Sequence, residues 1–340
     1  MNCPTTHHPP RDVRISEGIA DFLSVNEVND SMEPFVRTPI HPMQWFDEQQ
    51  YGRMQMTGAD ALPLLHRLTT NHMLQLAPGH SCQTVLTTPI GRSMDLLTVV
   101  NEQPAVWVFT SSGQGPMVYT HLKKNIFFND KVTLAPAAQS HRQYTLYGEG
   151  ATAWLSDQTG IAVSTIGVDG VVRWHDTVLM RTTPLGGDGW RVLEPVDASA
   201  GILPRSSVPQ MDAATLSLWQ LEAGVPAFGS EIGTDYIPLE TGLESAIHTA
   251  KGCYVGQEII ARMESRGRRA KTLERITLGG VVATPAPLLT ASGREAGVVT
   301  RAAHSDALGV IGFAYISTKI EDSEDLVCAD VAVNRLPIQR

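Results

Sequence analysis

Lys251-Gly-Cys-Tyr-Val-Gly-Gln-Glu258 is the stretch on which the reading of this chain turns. Two glycines bracket a Cys-Tyr pair, and the residues that follow predict a helix starting at about Gln257. A thiol just ahead of a helix N-terminus sits near partial positive charge, and Lys251 lies close by in the chain. Both favour the thiolate of Cys253, which makes it a candidate reactive residue. The plainer alternative is a small buried hydrophobe beside a tight turn.

On the C-terminal side comes the one dense basic run: Arg262, Arg266, Arg268, Arg269, Lys271 and Arg275, set against Glu264 and Glu274. Arg262 and Arg266 are four apart and share a helix face. Arginine binds carboxylates bidentately, so these two are candidate anion contacts; a solvated helix end is the other reading. Aromatics do not interleave with the run, so stacking on nucleic-acid bases has no support. Beyond Lys271, short apolar runs alternate with Gly and Pro, the pattern of a small all-β domain over 271–340, expected to be a barrel.

On the N-terminal side, Asp212 to Leu221 reads as a helix, capped by Asp212, with Ala214, Leu218 and Leu221 on one face and ended by Gly224 and Pro226. Tyr144–Tyr147, Val171–Trp174 and Thr177–Arg181 read as strands, and Ala151 as a helix start. These belong to an α+β region over 141–270. An earlier α+β region spans 43–140. It has a strand at 52–57 and a helix whose Ala61, Leu64, Leu65 and Leu68 share a face, with Thr57 as its expected cap. A hairpin of Met94–Val100 and Ala105–Thr110, a helix at 115–125 and a strand at 131–134 follow. No internal repeat is visible. Residues 1–42, rich in Pro, His and acidic residues, read as a partly disordered extension.

The motif Lys251-Gly-Cys-Tyr-Val-Gly-Gln-Glu258 resembles the signature of YgfZ-type proteins, relatives of the glycine-cleavage aminomethyltransferase. Three further blocks are similar to that superfamily. They are Gly52-Arg53 with Thr57-Gly-Ala-Asp-Ala61 and Leu68-Thr-Thr-Asn71, then Leu216-Ser-Leu-Trp-Gln-Leu-Glu222-Ala-Gly224, then Gly297-Val-Val-Thr300 with Gly312-Phe-Ala-Tyr315. The resemblance covers about 43 to 335. It implies an α+β fold of three domains in a ring, two ferredoxin-like and one C-terminal β-barrel, with tetrahydrofolate or a one-carbon derivative at the centre. It also implies a part in making or repairing iron–sulfur proteins, with a link to a tRNA-modifying iron–sulfur enzyme and with iron–sulfur client proteins as partners.

Carried over by position, Glu222 is the expected pterin-holding carboxylate, since one carboxylate accepts the amino group and ring N–H of a pterin together. Lys251, Tyr254 and Gln257 of the signature, with Arg262 and Arg266, complete the expected folate contacts around Cys253. Asp95 falls where the aminomethyltransferase carries two adjacent aspartates, one of them its catalytic acid; here the run is Met94-Asp95-Leu96. Phe228 stands where a tyrosine is usual. Both departures favour a folate-binding factor over a transferase, and an aminomethyltransferase-like one-carbon enzyme is the alternative.

The bulk composition agrees with such a protein. The 340 residues carry a formal charge of −9, with 42% hydrophobic residues, which suits a multi-domain globular chain and argues against a free-standing nucleic-acid binder. Four scattered cysteines without a CxxC pair speak against a cysteine-built metal site or a disulfide framework. The 11 histidines show no HxH or HExxH spacing, so no protein-built metal site is expected. No apolar run is long enough for a membrane span, and a cytoplasmic location with reduced thiols is expected.

Overall fold

A computed structural model describes residues 38–197 and 201–336. The first α+β region is built on a five-stranded sheet in the order β3-β4-β5-β2-β6. Its strands are β2 (Tyr51–Thr57), β3 (His80–Thr87), β4 (Ser93–Glu102), β5 (Ala105–Ser112) and β6 (Thr133–Pro136). Helices α1 (Ala61–Leu68) and α2 (Gly115–Lys124) cover one face. The predicted apolar stripe of α1 is buried in full, against Met54 and Met56 of β2, Leu97 and Val99 of β4, and Val118 and Leu122 of α2. Thr57 does not cap α1. The N-cap is Asp60, and its carboxylate accepts the Lys131 N–H at 2.7 Å instead, tying α1 to the start of the β6 segment.

The second sheet runs β1-β7-β10-β9-β8. Its strands are β1 (Gln44–Asp47), β7 (His141–Gly148), β8 (Val171–Trp174), β9 (Thr177–Arg181) and β10 (Asp188–Pro195), with α3 (Ala151–Thr159) packed on it. Strand β1 precedes the first sheet in the chain yet pairs antiparallel with β7 of the second, so a division of the α+β regions near 140 misplaces it. The two sheets are topological copies. Strand, helix, short 3₁₀ turn and three strands run β2-α1-β3-β4-β5 and again β7-α3-β8-β9-β10, with equivalent strand orders. This repeat leaves no visible trace in the sequence because only apolar periodicity, not identity, is needed to build it. The copies meet where His80 bridges Gly170 and the Val171 N–H donates to the Gly79 carbonyl.

Six strands from β11 (Lys271–Leu278) to β16 (Val331–Arg335) close into an antiparallel barrel. Helix α4 (Ala213–Glu222) wedges between the second sheet and the barrel. Leu216 and Trp219 pack on Tyr147, Leu185 and Met211, while Leu221 packs on Leu273, Ile311 and Phe313. Asp212 caps it as read, accepting the Thr215 N–H at 2.8 Å. Helix α5 (Gln257–Arg266) lies over Ile237, Leu239 and Ile247. The α+β architecture with its C-terminal barrel is the one expected.

Residues 1–37 of the expected extension lie outside the described residues. Its last residues are described, and they are not loose: the His41 ring stacks on Trp219 at 4.1 Å and 5°.

Candidate functional site

Strand β4, helix α2, the loop 228–236 and the barrel together enclose a cavity of about 600 Å³. Met94, Met117, Phe228, Ile232, Tyr236 and Val298 supply its apolar surface, and Gln114, Ser230, Thr234, Asp235 and Thr300 supply the polar atoms. Asp235 is exposed to the cavity mouth, and its carboxylate is held by no ion pair among the described residues. Its backbone carbonyl, by contrast, accepts Arg92 Nη1 at 2.6 Å, which fixes the loop. Tyr236 stacks on Tyr315 at 3.7 Å, and Lys271 Nζ stands 4.3 Å over the Tyr236 ring. A second cavity of about 190 Å³ adjoins it, and Phe228 and Ile232 line both.

The Met94-Asp95 pair resolves clearly. Successive strand residues face opposite ways, and here Met94 lines the cavity while Asp95 has no exposed surface. The Asp95 carboxylate accepts the Leu96 N–H at 2.9 Å and the Ser111 N–H at 3.2 Å. Burial pushes it up to about 6, with the Ser111 and Leu96 hydrogen bonds opposing. No carboxylate of β4 reaches the cavity, which a general acid would have to do.

The motif at 251–258 is a joint between segments. Lys251 is buried, and its ammonium donates to the carbonyls of His66 at 2.6 Å, Asn71 at 2.7 Å and Thr69. Three carbonyls in and just beyond the last turn of α1 thus each meet one ammonium proton. Burial lowers Lys251 to about 8, with Cys82 opposing. The Lys251 carbonyl in turn contacts His66 Nε2 at 3.2 Å, and the rings of His66, His72 and His248 form a chain with centroids 4.7 and 5.0 Å apart. Tyr254 packs against Ile237, Leu239, Ile247 and Ile260, and burial pushes its phenol up to about 12. Gly256 has φ +83°, and a Cβ there would stand 2.6 Å from the Thr88 carbonyl, so the β3–β4 hairpin demands glycine. Cys253 takes no part in any of this: it is exposed.

The remaining expected contacts lie elsewhere. Glu222 is buried, with one oxygen accepting the Ser305 hydroxyl at 2.6 Å and the other 2.7 Å from His41 Nε2. It does not line the cavity. Lys251 is spent on the three carbonyls, and Tyr254 and Gln257 are not cavity residues either. Arg262 pairs with Glu258 on the outer face of α5, and Arg266 is exposed near the end of the same helix.

Residues 36–251 match the model of the GCVT N-terminal domain, more than half of the chain. The chain belongs to the GCVT family. It is thereby placed in the glycine-cleavage T-protein/aminomethyltransferase superfamily. An aminomethyltransferase of Rubrobacter xylanophilus is 26% identical over 286 residues, spanning 81% of this chain and 76% of that one. A chloroplastic protein of Arabidopsis thaliana with a provisional transferase name is 25% identical over 292 residues; the match spans 79% of this chain and 64% of that protein's length. The solved aminomethyltransferase T of the glycine cleavage system from Bartonella henselae superposes with a TM-score of 0.80 at 18% identity, covering 88% of this chain and 86% of that one. That likeness establishes the fold.

Within this GCVT-family fold, sequence reasoning missed Asp235, Gln114 and Thr234. Gly233-Thr-Asp-Tyr236 is a short polar turn with nothing in its spacing to mark it. The one usable sign was Phe228, noted as a departure from a usual tyrosine. The cavity loop begins there.

Proposed function

We propose that this chain binds tetrahydrofolate or a one-carbon derivative in the larger cavity, and serves in the synthesis or repair of iron–sulfur proteins through the Cys253 thiol. The observation that carries the folate reading is the Asp235 carboxylate on the cavity wall, held by no ion pair among the described residues. Small-molecule sites are apolar clefts of about 300–1,000 Å³ with a few placed polar groups, and this cavity fits that description. A reduced pterin offers an amino group and a ring N–H side by side, and one carboxylate accepts both. Phe228 and Tyr236 supply aromatic faces for the flat ring. Bound tetrahydrofolate would supply a carrier for a one-carbon unit. The chain itself places Met94, not an acid, on the β4 wall, which supports binding rather than transfer.

The iron–sulfur part rests on the resemblance of the 251–258 motif and on Cys253. Packing and hydrogen bonding account for Lys251, Tyr254 and Gly256, but not for an exposed cysteine between them.

Thermal unfolding with and without excess tetrahydrofolate tests the folate reading. Ligand at 100 times its Kd stabilises by about 2.7 kcal/mol. Asp235→Asn is expected to weaken binding by roughly tenfold, about 1.4 kcal/mol. Glu222→Gln is expected to lower stability and leave affinity unchanged; the reverse result would return the pterin to Glu222. No shift in wild type removes the folate reading. The names of the bacterial relatives favour a second reading, one-carbon transfer. An assay with aminomethylated carrier protein decides it: formation of methylenetetrahydrofolate would establish turnover.

A further inference from the structure

Three histidines that the folate reading does not use meet beside the buried end of the cysteine loop. His66 lies in the last turn of α1, His72 follows that helix, and His248 comes just ahead of Lys251. The rings stand in a chain, His66 to His72 at 4.7 Å and His72 to His248 at 5.0 Å between centroids. Nδ1 of each is buried and meets no hydrogen-bond partner among the described residues. The backbone ties the group to the loop. The His248 N–H donates to the Thr70 carbonyl at 3.0 Å, and His66 Nε2 contacts the Lys251 carbonyl at 3.2 Å. The Lys251 ammonium donates to the His66 carbonyl at 2.6 Å, so a fixed positive charge shares the joint.

The charges around the rings do not balance a further cation. Burial lowers His66, Lys251, His72 and His248 act in the same direction, and the hydrogen bond to the Lys251 carbonyl opposes them. Arg67, beside His66 on α1, is paired with Asp130. Glu244, in the short 3₁₀ turn ahead of His248, is paired with Arg269. Cys82 of β3 acts on Lys251 with the opposite sign, but burial pushes its thiol up to about 12, so it carries little charge near neutral pH. Among the described residues, histidine–carboxylate pairs occur at His41 and His304, not at these three rings.

A proton added to this group therefore sets a second cation against a buried ammonium with no anion to offset it. Releasing the loop lets ring and ammonium reach water. A histidine whose folded value lies below its ordinary one favours the closed form above about pH 6.5 and gives up that contribution as pH falls. Gly252, at φ +94°, has nothing within 4 Å of where a Cβ would stand, so no packing holds the loop at that point once Lys251 lets go.

We propose that His66, His72 and His248 form a proton-sensitive latch on the Cys253 loop. Near neutral pH the uncharged rings leave Lys251 on its three carbonyls; acidification releases the segment 248–256 and the thiol it carries. Its use as a control rests on the reading of Cys253 as the working thiol, while the opening itself does not.

Hydrogen–deuterium exchange of the full chain at about pH 7.5 and about pH 5.5, corrected for the intrinsic pH dependence of exchange, tests it. A histidine that charges only in the open form, from its ordinary value of about 6.5, raises the opening equilibrium about tenfold over that interval. Amides of 248–256 are expected to exchange faster at the lower pH by about tenfold or more, with those of the barrel unchanged. His66→Gln is expected to shrink that factor by about threefold or more. His72→Gln, expected to act in the same direction, decides the matter if the first variant fails to fold. Equal exchange at both pH values, an equal rise in the barrel, or an acid response undiminished in the folded variant each overturn the proposal. The readout involves no folate, client or thiol chemistry, so its failure strikes the latch alone. Opening in the wild type together with an ordinary thiol pH profile for Cys253 alkylation, measured with Cys3 replaced by Ser, strikes only the reading of Cys253 as the working thiol.

Discussion

The cysteine loop at 251–258 and the cavity loop at 228–236 lie close together in the chain and contrast in what they do. The first is conspicuous in sequence and is mostly structural: its lysine closes the end of α1, its second glycine lets a hairpin pass, and its tyrosine fills a core. The second is inconspicuous and provides one wall of a ligand-sized space of about 600 Å³, with the exposed Asp235. A motif that is rigid in spacing records backbone crossings, where one added atom collides. A ligand wall asks only for a carboxylate and some apolar surface, and many spacings satisfy that. Cys253 is the exception in the first loop, an exposed thiol presented by a fixed frame.

Lys251→Met is the largest blow to the structural side of this contrast. It leaves three carbonyls without their charged donor, and charge-assisted bonds of this kind contribute about 1.5–3 kcal/mol each, not additively. A loss of about 3–5 kcal/mol in urea unfolding is expected; a loss under about 1 kcal/mol would mean the joint holds nothing.

Asp95 sharpens the cavity side. A carboxyl whose folded value lies above its unfolded one binds its proton more tightly when folded. Its stabilising contribution is therefore present below about pH 4 and is lost as pH rises to about 6. A shift from 3.8 to about 6 corresponds to roughly 3 kcal/mol. Asp95→Asn is expected to flatten that part of the stability–pH curve. An unchanged curve would show that Asp95 is reached by solvent, and so open to the chemistry denied to it above.

Cys253→Ser has the smallest expected effect on the fold, within about 0.5 kcal/mol for an exposed side chain. With Cys3, which lies outside the described residues, replaced by Ser in both proteins, it should remove the fast-reacting thiol from an iodoacetamide time course, because Cys82 is partly buried and Cys328 buried. A stability loss near that of Lys251→Met would make the cysteine part of the joint and erase the distinction between the loops.

By itself the sequence determined the type of several elements. The α1 stripe, the Asp212 cap and the helix start at Gln257 are local facts, written in periodicity and capping within a few residues. The eight-residue signature was legible for the same reason, and the GCVT family with it. Tertiary structure alone decided which polar groups meet. Glu222 looked like a ligand residue on a helix end, yet His41, far away in the chain, and Ser305 of the barrel claim its two oxygens. Asp95 and Met94 are neighbours in sequence, and only the sheet decides which of them faces the cavity. Asp235 acquires its place because the barrel, β4 and α2 converge on one loop, and Arg191 meets Glu48 because β1 joins a sheet that comes later in the chain. Those are contacts between residues tens to hundreds of positions apart, set by burial of the cores, and no spacing in the chain encodes them.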